Sequence, residues 1–260
     1  MIDVMTVPQA AEVKVQNVTK RFGKQVVLDN ISFEVAAGET FVIMGPSGSG
    51  KSVLLKNIMG LERPEEGRVL INELDASKPE TRKEIITSIV FQGGALFNSM
   101  TVYDNLAFYS REHGLYSKSQ LKEEVESTLA MLSLSDAASK YPSELSGGMK
   151  KRVAIARSLM VKPQLLLYDE PTSELDPIMG ATISEIIATL NEKFRVTSIV
   201  VSHDPYLACS IANKVALLFH GKLHKVAKPS ELYESEDPKI VEFLKPKIDI
   251  MNPRFKKFNI

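Results

Sequence analysis

Residues 45–52 read Gly-Pro-Ser-Gly-Ser-Gly-Lys-Ser, and no other stretch of the chain restricts its folding as tightly. Glycine loses more backbone freedom on ordering than any other residue, so this density of glycine specifies a loop. The loop follows a short apolar run, Phe41-Val-Ile-Met44, and precedes a helix-like stretch from Ser52 to Met59. The run reads as a strand buried on both faces. In a strand, glycine loop, helix unit, successive backbone N–H groups turn inward and the helix adds the positive end of its dipole, which makes a phosphate cradle. Gly45, Pro46, Ser47, Gly48, Ser49 and Gly50 form the cradle, and the binding run continues through Val53. Lys51 faces the β- and γ-phosphates and Ser52 offers its hydroxyl to Mg2+.

The rest of the chain supplies the setting for that unit. Val13/Val15 and Ile31/Phe33/Val35 alternate at spacing two, as half-buried antiparallel strands do. Pro64-Glu-Glu-Gly67 marks a turn before a strand at Arg68 to Ile71. From Thr101 to about Lys140, Leu121, Val125, Leu129 and Leu132 recur at helical spacing among charged residues, which specifies a helical insert. Strands at Gln164 to Tyr168 and Val196 to Val201 then flank a helix, Ile178 to Phe194, and this alternation implies a parallel sheet.

A phosphate cradle alone indicates only a nucleotide. The strand Leu165-Leu-Leu-Tyr168 delivers Asp169 and Glu170 at its C-terminal end, where ligands of α/β sheets bind. Asp169 suits Mg2+, and Glu170 suits a general base for an attacking water. Two further strands, Ile89-Val-Phe91 and Ile199-Val-Val-Ser202, end at Gln92 and His203. If all these strands are parallel, both side chains emerge beside the carboxylates. Gln92 then reaches Mg2+ or water, and His203 the γ-phosphate or the water. A second anion site reads Leu145-Ser146-Gly147-Gly148-Met149 and opens a helix expected from Lys150 to Met160. Of 14 glycines, seven lie in the segments 45–50, 93–94 and 147–148, which argues against incidental turns.

Composition sets outer bounds. With 32 Lys+Arg against 32 Asp+Glu, the balance gives no reason to expect a nucleic-acid or anionic-lipid surface over the whole molecule and leaves a local patch open, and no nucleic-acid partner is expected. Its longest apolar run, Val215 to Phe219, falls far short of the roughly 20 residues of a membrane-spanning helix. Met1 to Ala11 lacks the pattern of a secretory signal, and Cys209 alone cannot form an internal disulfide. The expectation is a chain in the reducing cytosol, docked at a membrane only through a partner that spans it.

The full set, in this order, resembles the ATP-binding cassette (ABC) ATPases over about residues 12–230. The resemblance implies a P-loop NTPase of α/β class, with a RecA-like, mostly parallel sheet, an antiparallel β subdomain and a helical subdomain. The ATPase domain then covers 12–244, with the helical part at about 93–160, and leaves 245–260 as a basic tail. It also implies two subunits meeting head to tail, each ATP held between the cradle of one and the Ser146, Gly147, Gly148 and Met149 signature of the other. Glu174 and Asp176 fall in the loop that crosses that interface, and Phe22 stands where an aromatic stacks on adenine. Phe91-Gln-Gly-Gly-Ala-Leu-Phe97, Asp104-Asn105-Leu106, the Met149 that closes the signature and Asp176-Pro-Ile-Met179 are similar to the ATPases of the Mla/Mce phospholipid transporters. Most relatives carry Gln at 149, whose amide hydrogen bonds methionine cannot offer.

The resemblance implies a homodimeric, MgATP-hydrolysing motor at the cytoplasmic face of the inner membrane. Permease subunits dock near Gly93–Asn105 and lipid-binding accessory proteins complete the assembly. An amino-acid or other small-solute importer is the alternative, and a non-transport ABC ATPase a more distant one. A guanine-specific N-K-x-D is absent, since Asn213-Lys214 runs into Val215-Ala216. Phe97, Met100 and Tyr103 either line the docking groove or pack the insert's own core. The basic tail, with Phe255 and Phe258, touches headgroups, embraces a neighbouring subunit or stays disordered. Lys150, Lys151 and Arg152 read as a solvated helix start, Cys209 as a small packed hydrophobe, and His113, His220 and His224 as non-ligands.

Overall fold

The computed structural model describes residues 9–246, so most of the basic tail, including Phe255 and Phe258, lies outside the described residues. β1 (Val13–Phe22) and β2 (Gln25–Val35) form an antiparallel hairpin, with Val13 opposite Val35. β3 (Thr40–Met44) leads through the glycine loop into α1 (Lys51–Ile58). β4 (Glu66–Ile71) pairs antiparallel with β1, and β5 (Leu74–Asp75) with β4. After the short α2 (Thr81–Glu84) and β6 (Thr87–Val90) come α3 (Val102–Glu112), α4 (Lys118–Met131) and α5 (Gly147–Leu159). The chain then runs through β7 (Leu165–Asp169), α6 (Pro177–Phe194), β8 (Thr197–Ser202), α7 (Pro205–Ile211) and β9 (Lys214–Phe219). β10 (Lys222–Ala227), α8 (Pro229–Tyr233) and α9 (Pro238–Leu244) close it.

Two sheets result, a small one ordered β2-β1-β4-β5 and a larger one ordered β10-β9-β3-β8-β7-β6. In the larger sheet every pair from β9 to β6 is parallel, and only the edge strand β10 is antiparallel. Its central strands β3, β7 and β8 are buried almost end to end and carry continuous apolar runs at their centres, because both faces are covered. Val42, Met44, Leu166, Tyr168 and Val200 point into a core shared with the helices. Phe41, Ile43, Leu165, Leu167 and Ile199 point the other way, into a core shared with α1 and the small sheet. Burying each such side chain stabilises by about 1.5–3 kcal/mol.

Register decides what the sheet presents. Met44 lies opposite Ser202, Asp169 opposite Val201, and Val90 opposite Tyr168. The strands therefore end together, and the segments that carry 45–52, Glu170, His203 and Gln92 leave from one edge.

The helical stripe read from the sequence is in place. Leu121, Val125, Leu129 and Leu132 are buried, and Ser117 and Gln120 cap the start of α4 reciprocally. α5 begins at Gly147, three residues before the expected Lys150, with Ser146 as its cap. Its first turn lies against α6, since a Cβ on Gly148 would stand 2.3 Å from Met179 Cε. β6 ends one residue early, at Val90, because Phe91 enters a turn in which Gly94 N donates to its carbonyl at 2.8 Å. Among the described residues, no helix is long and apolar enough to cross a membrane.

Candidate functional site

Two glycines of the cradle are required for different reasons. A Cβ on Gly45 would stand 2.1 Å from Leu218 O in β9, so the loop passes too close to a strand for any side chain. Gly48 has open space but a φ of 78°, the left-handed region that only glycine enters freely. Lys51 is 7% exposed, and its Nζ donates to Gly45 O at 2.8 Å and Pro46 O at 3.1 Å. Burial holds its pKa below the usual lysine value, against the attraction of Glu170 and Asp169. Ser52 Oγ donates to Asp169 Oδ1 at 2.9 Å, which joins the start of α1 to the end of β7.

Glu170 follows directly and is bent away from regular backbone, with a φ of 49°. Its N–H donates to Val201 O at 2.9 Å, and its carbonyl accepts from Ser173 Oγ at 2.8 Å. The carboxylate is bridged: Oε1 lies 3.8 Å from Lys51 Nζ, and Oε2 lies 2.8 Å from His203 Nδ1. The His203 N–H also reaches Oε2, at 3.3 Å. Gln92 and Glu170 line one cleft of about 330 Å3 with Ser47, Gly48, Lys51 and Ser52. The structure thus brings together the cradle, both carboxylates, Gln92 and His203, from four parallel strands.

Other residues lie apart. Ser146 and Gly147 are exposed, Ser146 Oγ accepts from Met149 N at 3.3 Å, and none of the signature lines the cleft. Asp176 caps α6, accepting from Ile178 N and Met179 N at 3.0 Å. Phe22 is 48% exposed at the end of β1, outside the cleft lining, with Lys20 Nζ 5.2 Å from its ring centre.

The solvated face expected of Lys150 to Arg152 is overturned. Lys151 is buried and its Nζ donates to Gln92 O, while Arg152 Nη1 donates to Leu132 O at 2.9 Å. Both turn inward because the bends at Gln92 and Leu132 leave carbonyls that no ladder or helix satisfies.

The insert also contains anchors that pattern reading missed. The buried Asn105 donates to Phe97 O, Met100 O and Thr101 O and accepts from Phe97 N, so one side chain shapes the whole bend. Arg157 donates to Ala95 O at 2.8 Å and Gly94 O at 3.0 Å and lies over the Phe97 ring. Phe97 remains 43% exposed, whereas Tyr103 packs against the helical core. His224 pairs with Asp237 at 2.8 Å, and Cys209 is half-buried beside Tyr233.

The donor set fits MgATP. Backbone N–H groups and an ammonium suit phosphates, and a hydroxyl beside a carboxylate suits a hard divalent cation. Ser49 Oγ, buried without a protein partner among the described residues, is a further polar group inside the cradle loop. Residues 28–173 match the ABC transporter family. The chain belongs to that family. This ABC ATPase is 38% identical over 243 residues to the intermembrane phospholipid transport system ATP-binding protein MlaF of Haemophilus influenzae, covering 91% of each chain. It is 37% identical over 241 residues to the probable ribonucleotide transport ATP-binding protein mkl of Mycobacterium leprae, covering 91% of this chain and 70% of that one. Among solved structures it resembles the dimeric post-hydrolysis state of the ATP-binding cassette MJ0796 bound to ADP and Pi. That similarity has a TM-score of 0.76 and 32% identity over 84% of this chain and 98% of that chain. The ABC ATPase is therefore an ATP-hydrolysing enzyme and the motor of a transporter, and its relatives are named for different cargoes.

Proposed function

We propose that this ATPase drives the movement of phospholipid or another hydrophobic cargo between bacterial membranes, as a homodimer at the cytoplasmic face of the inner membrane. The observation that carries the dimer is the separation of two anion sites on one chain. The cleft at Lys51 contains no signature residue, and Ser146 and Gly147 of the second site face solvent. Two copies set head to tail complete both sites. Glu174 and Asp176 then lie at the interface, and Ser146, Gly147, Gly148 and Met149 face the partner's γ-phosphate.

Within each cleft Gly45 to Val53 hold the phosphates, and Ser52, Asp169 and Gln92 hold Mg2+, which neutralises charge on the phosphate oxygens. Glu170 accepts the proton of the attacking water, and His203, held by the same carboxylate, orients that water. Phe22 stacks on adenine. The insert at about 93–160, within a domain spanning 12–244, carries the dimer's closure to a permease docked near Gly93–Asn105. The bend held by Asn105 and Arg157 gives that surface a defined shape and presents Phe97.

The likeness to MlaF over 91% of each chain supports the phospholipid reading, and the mkl relative favours a second one, a polar small solute. Purifying the full chain from detergent-solubilised membranes of its own host, with mass spectrometry of what accompanies it, separates them. Copurified permease, lipid-binding protein and phospholipid support the proposal. A periplasmic-type solute-binding protein without lipid refutes it.

A further inference from the structure

Lys151 does work that no nucleotide-contacting role accounts for. It stands in the second turn of α5, outside the cleft lining, and is 6% exposed. An ammonium has three donors, and this one meets three acceptors: Gln92 O, Ser173 Oγ at 3.3 Å and Glu170 O at 3.5 Å. Burial depresses its pKa, while the charges of Glu174, Glu170 and Asp169 act to keep it protonated. Two of the acceptors are backbone carbonyls just past the last paired residues of β6 and β7, Val90 and Tyr168. Beyond that point the ladder no longer sets the spacing of the two segments.

The Glu170 turn has most to lose from slack. Its left-handed backbone is retained only by what surrounds it, namely Val201 O on its N–H and Ser173 with Lys151 on its carbonyl. A rotation there swings the carboxylate away from His203 and Lys51.

We propose that Lys151 is a positioning residue for hydrolysis, a clamp that ties the Gln92 turn to the Glu170–Ser173 turn so that the two move as one unit. The proposal rests on the roles given above to Gln92 and Glu170. It places a communication element at the root of the signature helix, so a shift of α5 is transmitted to both turns of its own subunit.

Hydrogen exchange on the nucleotide-free full chain tests the clamp without turnover. Lys151→Met removes the donors and keeps the stem. It should speed exchange at least tenfold at Gln92, Gly93 and Gly94 and at Glu170, Thr172 and Ser173 together, since each turn loses at least one charge-assisted hydrogen bond, while β3 and the rest of α5 stay protected. Its kcat should fall at least tenfold with the KM for ATP within about twofold of wild type, because the cradle is untouched. Lys151→Arg, which keeps charge and donors, should restore protection and most of kcat. Faster exchange in only one turn or in neither, or equal damage from Met and Arg, overturns the proposal. So does coupled loosening with undiminished kcat. If Lys151→Met does not fold, Ser173→Ala reads the same clamp, and exchange at Gln92 and Gly93, which Ser173 does not touch, should rise with that of Glu170. No change at Gln92 and Gly93 overturns the clamp. Full activity in Glu170→Gln overturns the catalytic reading beneath it.

Discussion

Gly45 and Gly48 belong to one motif, and replacing each with alanine separates packing from backbone strain. At Gly45 the new methyl meets Leu218 O at 2.1 Å, so that carbonyl must retreat by 1.3 Å to reach the 3.4 Å of ordinary contact. The carbonyl cannot retreat alone, because β9 pairs with β3 on one side and β10 on the other. Gly45→Ala should therefore cost about 3 kcal/mol, the upper end for overpacking a well-filled site. At Gly48 the methyl meets nothing within 4 Å, and the cost is that of a left-handed φ of 78°. That is about 1–2 kcal/mol. At about 2–4 °C per kcal/mol for a chain of this size, Tm should drop about 6–12 °C for Gly45→Ala and about 2–8 °C for Gly48→Ala. Thermal unfolding followed by circular dichroism, without nucleotide, reads the Tm of both variants, and urea unfolding reads their free energies. Asparagine sharpens the contrast, because it tolerates left-handed backbone. Gly48→Asn should recover part of the loss, while Gly45→Asn should be worse than Gly45→Ala. Equal losses at the two sites, or no benefit from Asn at 48, would refute the reasoning.

Glu170→Gln keeps the side-chain shape and removes the proposed base. It should retain MgATP, lose about 10²–10⁴ in turnover and accumulate a closed dimer visible by gel filtration; unaltered hydrolysis would remove Glu170 from the mechanism. Ser146→Arg and Lys51→Ala subunits should each be inactive alone and regain one working site per mixed dimer when combined, and an absence of recovery would argue against shared sites. Burial depresses the Lys51 pKa, so its neutral form appears at lower pH than in a free lysine. If Lys51 holds the phosphates as proposed, ATP affinity should be full below that depressed pKa and weaken up to about tenfold per unit as pH rises through it. Titration calorimetry in buffers of different ionisation heat should show proton uptake on binding in that window, and a flat alkaline profile would contradict it.

How far the sequence carried differs from residue to residue. Glu170 was legible because it closes an apolar run at a point where only a sheet edge makes chemical sense, and Lys51 because it ends the glycine loop that leaves such an edge. Lys151 was not. A run of Lys-Lys-Arg at a helix start has the signature of a solvated face, and nothing in the spacing says that one of the three faces the Gln92 carbonyl and the Glu170–Ser173 turn. Arg152 and Arg157 escaped for the same reason, since each satisfies backbone atoms distant in the chain. Asn105 bonds to the bend just before it, Phe97 to Thr101, and was missed because a polar residue in a helix's first turn reads as exposed. The end of β6 and the start of α5 shifted because turn and cap geometry, rather than hydrophobic period, set them.

Local order of residues determined the strand, loop, helix unit, the doubly buried strands and the two glycine sites, because phosphate cradles and hydrophobic period are written in near neighbours. Tertiary structure decided the rest. Parallel register put Asp169, Glu170, His203 and Gln92 on one edge, close packing made Gly45 irreplaceable, and burial turned Lys151 from a surface charge into a link between two turns. These depend on contacts between residues tens to hundreds of positions apart, which no local pattern encodes.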